Sequence, residues 1–280
     1  MTLPHLPSPS FRAFRQFNGV DDLAATLQFK PERHADSGES SDSVTSTPRA
    51  LSSVKSRLGG SKLSHFESER MPDKVARVLG EARLLDTKEV IESFEFFQRV
   101  RHRVSRQHVV DLCCGHGLVG MLFALLERRV EHVHLLDVRF PESSVRIEAA
   151  LNQVWPWVSP KLHRLTRSVK GAATVLPEGA GVVAVHACGA RTDWSIEEAI
   201  KIGGPLAVMP CCYTHQVYSG PETLKRHLGV TLCVDIQRTT QLSDLGYEVA
   251  WQELPPSITP KNRIIAATPR PKGERSPEAQ

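Results

Sequence analysis

No stretch of this sequence approaches the roughly 20 consecutive apolar residues that a bilayer-spanning helix needs, so a membrane-embedded chain is not expected. The opening segment, MTLPHLPSPSFRAFRQF, lacks the continuous apolar core of a secretory leader, and the cytoplasm is the expected location. The six cysteines offer no C-x-x-C spacing. Cys113–Cys114 and Cys211–Cys212 are adjacent pairs, and Cys188 and Cys233 stand alone. Neighbouring cysteines rarely bridge, so a disulfide framework is excluded; reduced thiols near a site, or metal ligands, remain. Neither sign of charge is in large excess, with 35 Lys and Arg against 31 Asp and Glu. The net charge of +4 permits nucleic-acid binding without demanding it.

What is present divides the chain. Residues 1–65 are rich in Ser, Pro, Thr and Arg, and ADSGESSDSVTSTPRALSSVKS has almost no apolar content. Such a segment cannot bury enough surface to offset the entropy of ordering, so a disordered arm is expected there. Within it, FRAFRQF and DDLAATLQF could form a short amphipathic piece. Residues 66–106 read as a helical extension. Val75, Val78 and Leu79, then Val90, Ile91, Phe94, Phe97 and Val100, recur at helical spacing, giving two helices parted near Leu85–Thr87. Asp86 or Thr87 could cap the second. Arg99, Arg101, Arg103 and Arg106 at its exit read first as a solvated helix end and second as a phosphate-facing patch. Residues 107–270 hold the main domain, and 271–280 a flexible tail.

In the main domain strands and helices alternate. HVVDL, HVHLLDV, KLHRL, GVVAVHAC, PLAVMP, YEVAWQEL and RIIAATP read as seven strands, with helices in LVGMLFALLERR, SSVRIEAALNQVWPWV, DWSIEEAIKIG and near DIQRTTQLSDLG. This predicts an α/β doubly wound, mostly parallel sheet. Only PPSITPKN separates the last two strands, too short for a parallel crossover, so the last strand must run antiparallel.

Ligands of such sheets bind beyond the carboxyl ends of the strands. There the first strand runs into VVDLCCGHGLVG. Gly115 and Gly117 permit a tight turn and close backbone approach, and the helix opening at Leu118 adds partial positive charge. Asp111 stands ahead of the glycines in a D-x-C-x-G-x-G order. An acid there repels a pyrophosphate and suits a cationic ligand such as the ammonium and sulfonium of S-adenosylmethionine. Asp137, 26 residues further on at the end of the second strand, can accept both hydroxyls of a ribose. Cys113 is small enough to pack against that cofactor, and Cys114 is expected to point into the packing.

Three further motifs fall on the same edge. His186, Cys188 and Asp193 follow the fourth strand; Pro210, Cys211, Cys212, Tyr213 and His215 follow the fifth; Thr259, Pro260, Lys261 and Asn262 form the last turn. Asp193 is expected to act as a helix cap. The loops after neighbouring strands four and five should bring His186, Cys188, Cys211, Cys212 and His215 together. They could line an acceptor pocket with His186 as a base, pack under the cofactor loop, or bind a metal. The spacing is poor for a metal, and no metal ligand is assigned. Lys261 could reach an acceptor phosphate or carboxylate, or be a solvated lysine in a hairpin turn.

Taken together, VVDLCCGHG, LLDVR, VHACGARTD, MPCCYTH and GYEVAWQELPPSITPKNRIIAA resemble the S-adenosylmethionine-dependent methyltransferases bearing an HACG…PCCY…TPKN pattern, a group related to the tRNA acceptor-stem 2′-O-methyltransferases. The resemblance covers roughly residues 100–270. No zinc segment of the kind the acceptor-stem enzymes usually carry stands ahead of the domain. The resemblance implies a Rossmann-like methyltransferase fold and S-adenosylmethionine as cofactor, bound by Asp111, Cys113, Gly115, Gly117, Asp137 and His186. It implies an acceptor site built from His186, Cys188, Cys211, Cys212 and Lys261. The acceptor could be RNA, a small molecule or a protein; a non-catalytic protein that keeps the fold is the alternative.

Overall fold

The computed structural model describes residues 56–213 and 218–271. The elements run α1 (Met71–Glu81), α2 (Thr87–Val104), β1 (His108–Leu112), α3 (Leu118–Leu126), β2 (His132–Asp137), α4 (Glu142–Val154), β3 (Leu162–Thr166), β4 (Gly181–Val185), α5 (Ala190–Ile202), β5 (Leu206–Met209), α6 (Glu222–Asp244), β6 (Tyr247–Glu253) and β7 (Arg263–Pro269).

The seven strands form one sheet in the order β3-β2-β1-β4-β5-β7-β6. All neighbours are parallel except that β7 runs antiparallel to both β5 and β6. The expected antiparallel last strand is therefore inserted one place in from the edge, with β6 outside it. This is the Rossmann-like methyltransferase fold.

The sheet is buried on both faces, as parallel strands between helices must be. Val109 of β1 and Val133 and Leu135 of β2 join the core under α1–α4. Their neighbours Val110, Leu112 and Leu136 join the core under α5 and the end of α6. The sequence LVGMLFALL makes α3 apolar on every side, and all nine of its residues are buried. Such a helix can only be a core element. Phe97 of α2 meets Phe123 of α3 edge-on, ring centres 4.9 Å apart.

The amino-terminal helices are therefore part of the domain core: α2 packs on α3, β4, β5 and β7. Asp86 caps α2, and the Glu89 carboxylate accepts from the Asp86 N–H at 3.3 Å, completing a capping box. Residues 56–65, expected within a disordered arm, are ordered. Leu58 is fully buried, Gly60–His65 form a 3₁₀ turn, and Arg57 pairs with Asp86. Their few apolar side chains dock on a surface that α1 and α2 supply. Residues 1–55, with FRAFRQF and DDLAATLQF, and 272–280 of the tail, lie outside the described residues. The helix expected near DIQRTTQLSDLG is longer, beginning at Glu222 and bent at Gly229, whose φ is 76°.

The four arginines at the end of α2 are neither free in solvent nor grouped for a phosphate. Arg99 pairs with Glu95 and donates to the Glu253 carbonyl, Arg101 pairs with Glu127, Arg103 pairs with Glu248, and Arg106 donates to the carbonyls of Arg103 and Ser105. They fasten α2 to α3 and β6.

At the amino-terminal end of the sheet four histidines share one face. His108 of β1 stacks on His132 of β2, and His134 of β2 on His163 of β3. The ring nitrogens of His108 and His134 approach to 3.2 Å, and those of His132 and His163 to 3.0 Å.

Candidate functional site

The carboxyl ends of β1, β2, β4 and β5 gather the candidate residues along one edge of the sheet. After β1 the chain turns through left-handed conformations at Cys113 (φ 55°), Gly115 (φ 53°) and Gly117 (φ 76°) before α3 begins. A side chain costs about 1–2 kcal/mol in that region, so glycine is favoured at two of the three. No atom lies within 4 Å of where a Cβ of Gly115 would stand, so the bend is open to a ligand there.

Asp137 closes this bend from the next strand. Its Oδ2 accepts from the Gly115 N–H at 2.9 Å, and its Oδ1 from the Arg139 N–H at 3.3 Å. The predicted acid and the predicted glycine thus meet directly.

Asp111 departs from expectation. It is 2% exposed, and its Oδ2 accepts from the Gly120 N–H of α3 at 2.9 Å. Burial, reinforced by the charge of Asp137 and opposed by the Gly120 hydrogen bond, lifts its carboxyl from 3.8 to about 7. Asp111 therefore satisfies an unpaired N–H in the first turn of α3 instead of presenting a charge to the open edge.

Gly120 was also missed. With Gly115 and Gly117 it completes a G-x-G-x-x-G. A Cβ on Gly120 would fall 2.5 Å from a Leu135 methyl, so this glycine lets α3 lie against β2. The signal was present in the spacing.

Cys113 and Cys114 face opposite cores. Burial and the charge of Asp137 push the Cys113 thiol to about 11, and burial pushes Cys114 up further. Both are thiols, and neither is an activated nucleophile.

Strands β4 and β5 pair with Val185 opposite Met209, and the His186 N–H donates to the Met209 carbonyl at 3.1 Å. Their exit loops therefore leave side by side. The sulfurs of Cys188, Cys211 and Cys212 all lie within 4.8 Å of one another. His215, expected to join them, lies outside the described residues.

His186 takes a left-handed conformation (φ 57°) at the end of β4. Its Nε2 lies 2.6 Å from Glu92 of α2, a carboxylate 3% exposed that also receives Lys88 at 2.5 Å. Burial works to raise the Glu92 carboxyl, but His186 and Lys88 together hold it below the usual range. An ionised Glu92 accepts the Nε2 proton, which leaves Nδ1 the basic nitrogen of the ring. That Nδ1 is enclosed and unpartnered. Glu92 is 94 residues from His186 in sequence, and nothing local announces the pairing.

Behind the thiols lies a buried ionic network. Asp235, fully buried, accepts from Arg238 at 3.2 Å, Arg263 at 2.8 Å and the Tyr213 hydroxyl at 2.9 Å. Arg238 also donates to Asp193 at 2.8 Å. Asp193 is thus an ion-pair partner; no side chain caps α5, whose amino end is Gly189. Lys261 is exposed, its Nζ 5.9 Å from the Tyr213 ring centre, so the last turn does reach the loop after β5. Asn262 anchors that turn, donating to the Leu254 carbonyl at 2.6 Å.

Residues 86–219 match the family described as a methyltransferase domain. Among curated proteins, a glutathione S-transferase C-terminal domain-containing protein of Homo sapiens is 25% identical over 201 residues, covering 58% of this chain and 30% of that protein. Its Xenopus laevis counterpart is 29% identical over 111 residues, covering 38% and 16%. The chain spans under a third of the length of these relatives. Solved structures with a similar chain path include an rRNA-methylase described as putative from Clostridium thermocellum, at 11% identity and TM-score 0.41 over 63% of this chain and 94% of that one. Another is a SAM-dependent methyltransferase from Aquifex aeolicus, at 15% identity and TM-score 0.41 over 71% and 98%.

Proposed function

We propose that this chain is an S-adenosylmethionine-dependent methyltransferase, with the cofactor lying over the bend at Cys113–Gly117. One observation carries the reading: the open backbone at Gly115 is tied to the Asp137 carboxylate at the end of β2. A nucleoside there would place its ribose hydroxyls on Asp137 and its charged portion over the bend. A G-x-G-x-x-G bend also suits a dinucleotide, and the burial and raised pKa of Asp111 weaken the charge argument against one. The antiparallel β7 and the methyltransferase-domain match of residues 86–219 favour the methyl donor.

Methyl transfer from a sulfonium asks a protein chiefly to align donor and acceptor and to accept a proton. His186 is the candidate proton acceptor, through an Nδ1 that a bound acceptor must first uncover, and Glu92 is a positioning residue that fixes the ring. Lys261 is the exposed cation offered to an acceptor phosphate or carboxylate. RNA is one acceptor of that kind; the arginines of α2, committed to protein partners, do not add to such a surface.

Calorimetric titration with S-adenosylmethionine tests the reading. Binding is expected, weakened at least about tenfold in Asp137→Ala through loss of charge-assisted hydrogen bonds. Absence of binding at high micromolar ligand, or equal affinity in the variant, refutes it. Label transferred from tritiated methyl donor to extracts, lost on RNase treatment, assigns the acceptor to RNA; label that survives assigns it elsewhere.

A further inference from the structure

Cys188, Cys211 and Cys212 have no role in holding a nucleoside over the bend, and they are too close together to be incidental. Cys188 lies three residues beyond the last paired residue of β4, and Cys211 two beyond the last of β5. The parallel ladder therefore carries both to the same point, and Cys212 turns its sulfur back to join them. The Cys188 and Cys211 sulfurs are 2.7 Å apart, and those of Cys211 and Cys212 3.5 Å. A tetrahedral zinc ion with sulfur ligands at about 2.3 Å requires sulfurs about 3.8 Å apart. The Cys211–Cys212 edge nearly meets that spacing, and Cys188 need withdraw by only about 1 Å to match it.

We propose that these three thiolates bind one zinc ion. The adjacency of Cys211 and Cys212, which argued against a metal in the sequence, is overcome because both sulfurs turn to one side of the loop. Three protein ligands leave the fourth corner of the tetrahedron to water or to a donor atom of a substrate, the pattern of zinc sites that take part in chemistry. Among the described residues no other Cys, His, Asp or Glu completes the set. Cys212 is exposed, so the ion has a path in from solvent. Two paired strands hold the ligands, an arrangement rigid enough to present an open metal position to an acceptor. The inference does not depend on methyl-donor binding and can stand or fall alone.

Elemental analysis of the full chain, purified with reductant and without chelator and then reconstituted with zinc, is the test. About one zinc per chain is expected, falling below about 0.1 in Cys211→Ser. Substitution with cobalt(II) should produce an intense thiolate-to-metal band in the near ultraviolet, lost in the same variant. Should Cys211→Ser fail to fold by circular dichroism, Cys212→Ser at the exposed corner should lower zinc affinity at least about tenfold. Zinc below about 0.1 equivalent in the reconstituted wild type, or zinc retained in the serine variants, overturns the proposal. So does peptide mapping that finds Cys188 and Cys211 joined as a disulfide in the reduced preparation.

Discussion

Glu92 carries a full charge at 3% exposure, which is tolerable only because His186 and Lys88 both reach it. Replacing it with glutamine keeps the shape and removes the charge that orients the imidazole. For the methyltransferase reading, Glu92→Gln should lower kcat about 10–100-fold with the KM for the methyl donor little changed. An unchanged kcat would remove Glu92 from any positioning role. Asp111 offers a second single-residue test. Its folded-state pKa of about 7 exceeds its ordinary value of 3.8, so between these values the folded chain holds a proton that the unfolded chain releases. Its contribution therefore erodes stability as pH rises from about 4 to about 7. Asp111→Asn abolishes that titration, and its melting temperature relative to wild type should climb across the same interval. A difference that stays flat with pH would show that Asp111 ionises normally in the folded protein.

At the scale of elements, the contact between α3 and β2 decides how the bend is held. Gly115 and Gly120 differ in what a methyl group would meet. At Gly120 it would strike Leu135, and Gly120→Ala should cost about 1–3 kcal/mol in urea unfolding. At Gly115 it meets open space but a left-handed φ of 53°, and Gly115→Ala should cost only about 1–2 kcal/mol. Equal costs near zero would mean that the helix can move off the strand freely. The elements themselves were legible in the sequence, since β1, β2, β4 and β5 are short, largely apolar runs and α3 is an unbroken apolar stretch. The meeting of Gly115 with Asp137 was legible for a related reason: one lies in the turn after β1, and the other ends the neighbouring β2. The turn of Asp111 toward α3 was not legible, because strand-end position alone does not say which way a carboxylate turns, and the first turn of α3 offers it an N–H close by. Glu92 escaped notice because the helix carrying it reads from sequence as an extension, whereas its apolar face makes it part of the core.

On the scale of the whole molecule, the Asp193–Arg238–Asp235–Arg263 network joins α5, α6 and β7 behind the thiol-bearing loop. Arg238 is 2% exposed and touches both acids. Arg238→Met would strip a buried carboxylate of one partner and should destabilise the fold by about 3–5 kcal/mol, read as a lowered melting temperature. A loss under about 1 kcal/mol would show that water relieves the stranded charge. No sequence rule exposes such a network, because its bonded partners lie up to 45 residues apart and each reads separately as a cap or a solvated charge.

The stacked imidazoles at the far end of β1, β2 and β3 bear on how this protein meets acid. Burial, and then the nearness of His163, His108 and His132, depress His134 to about 4, against an ordinary 6.5, while Glu131 pulls the other way only on His108. As pH falls from about 6.5 toward about 4, an unfolded chain takes up a proton that the folded His134 refuses, so its contribution to stability is lost on acidification. Acid therefore bears on the amino-terminal end of β1, β2 and β3, the end of the sheet away from the bend at Cys113–Gly117.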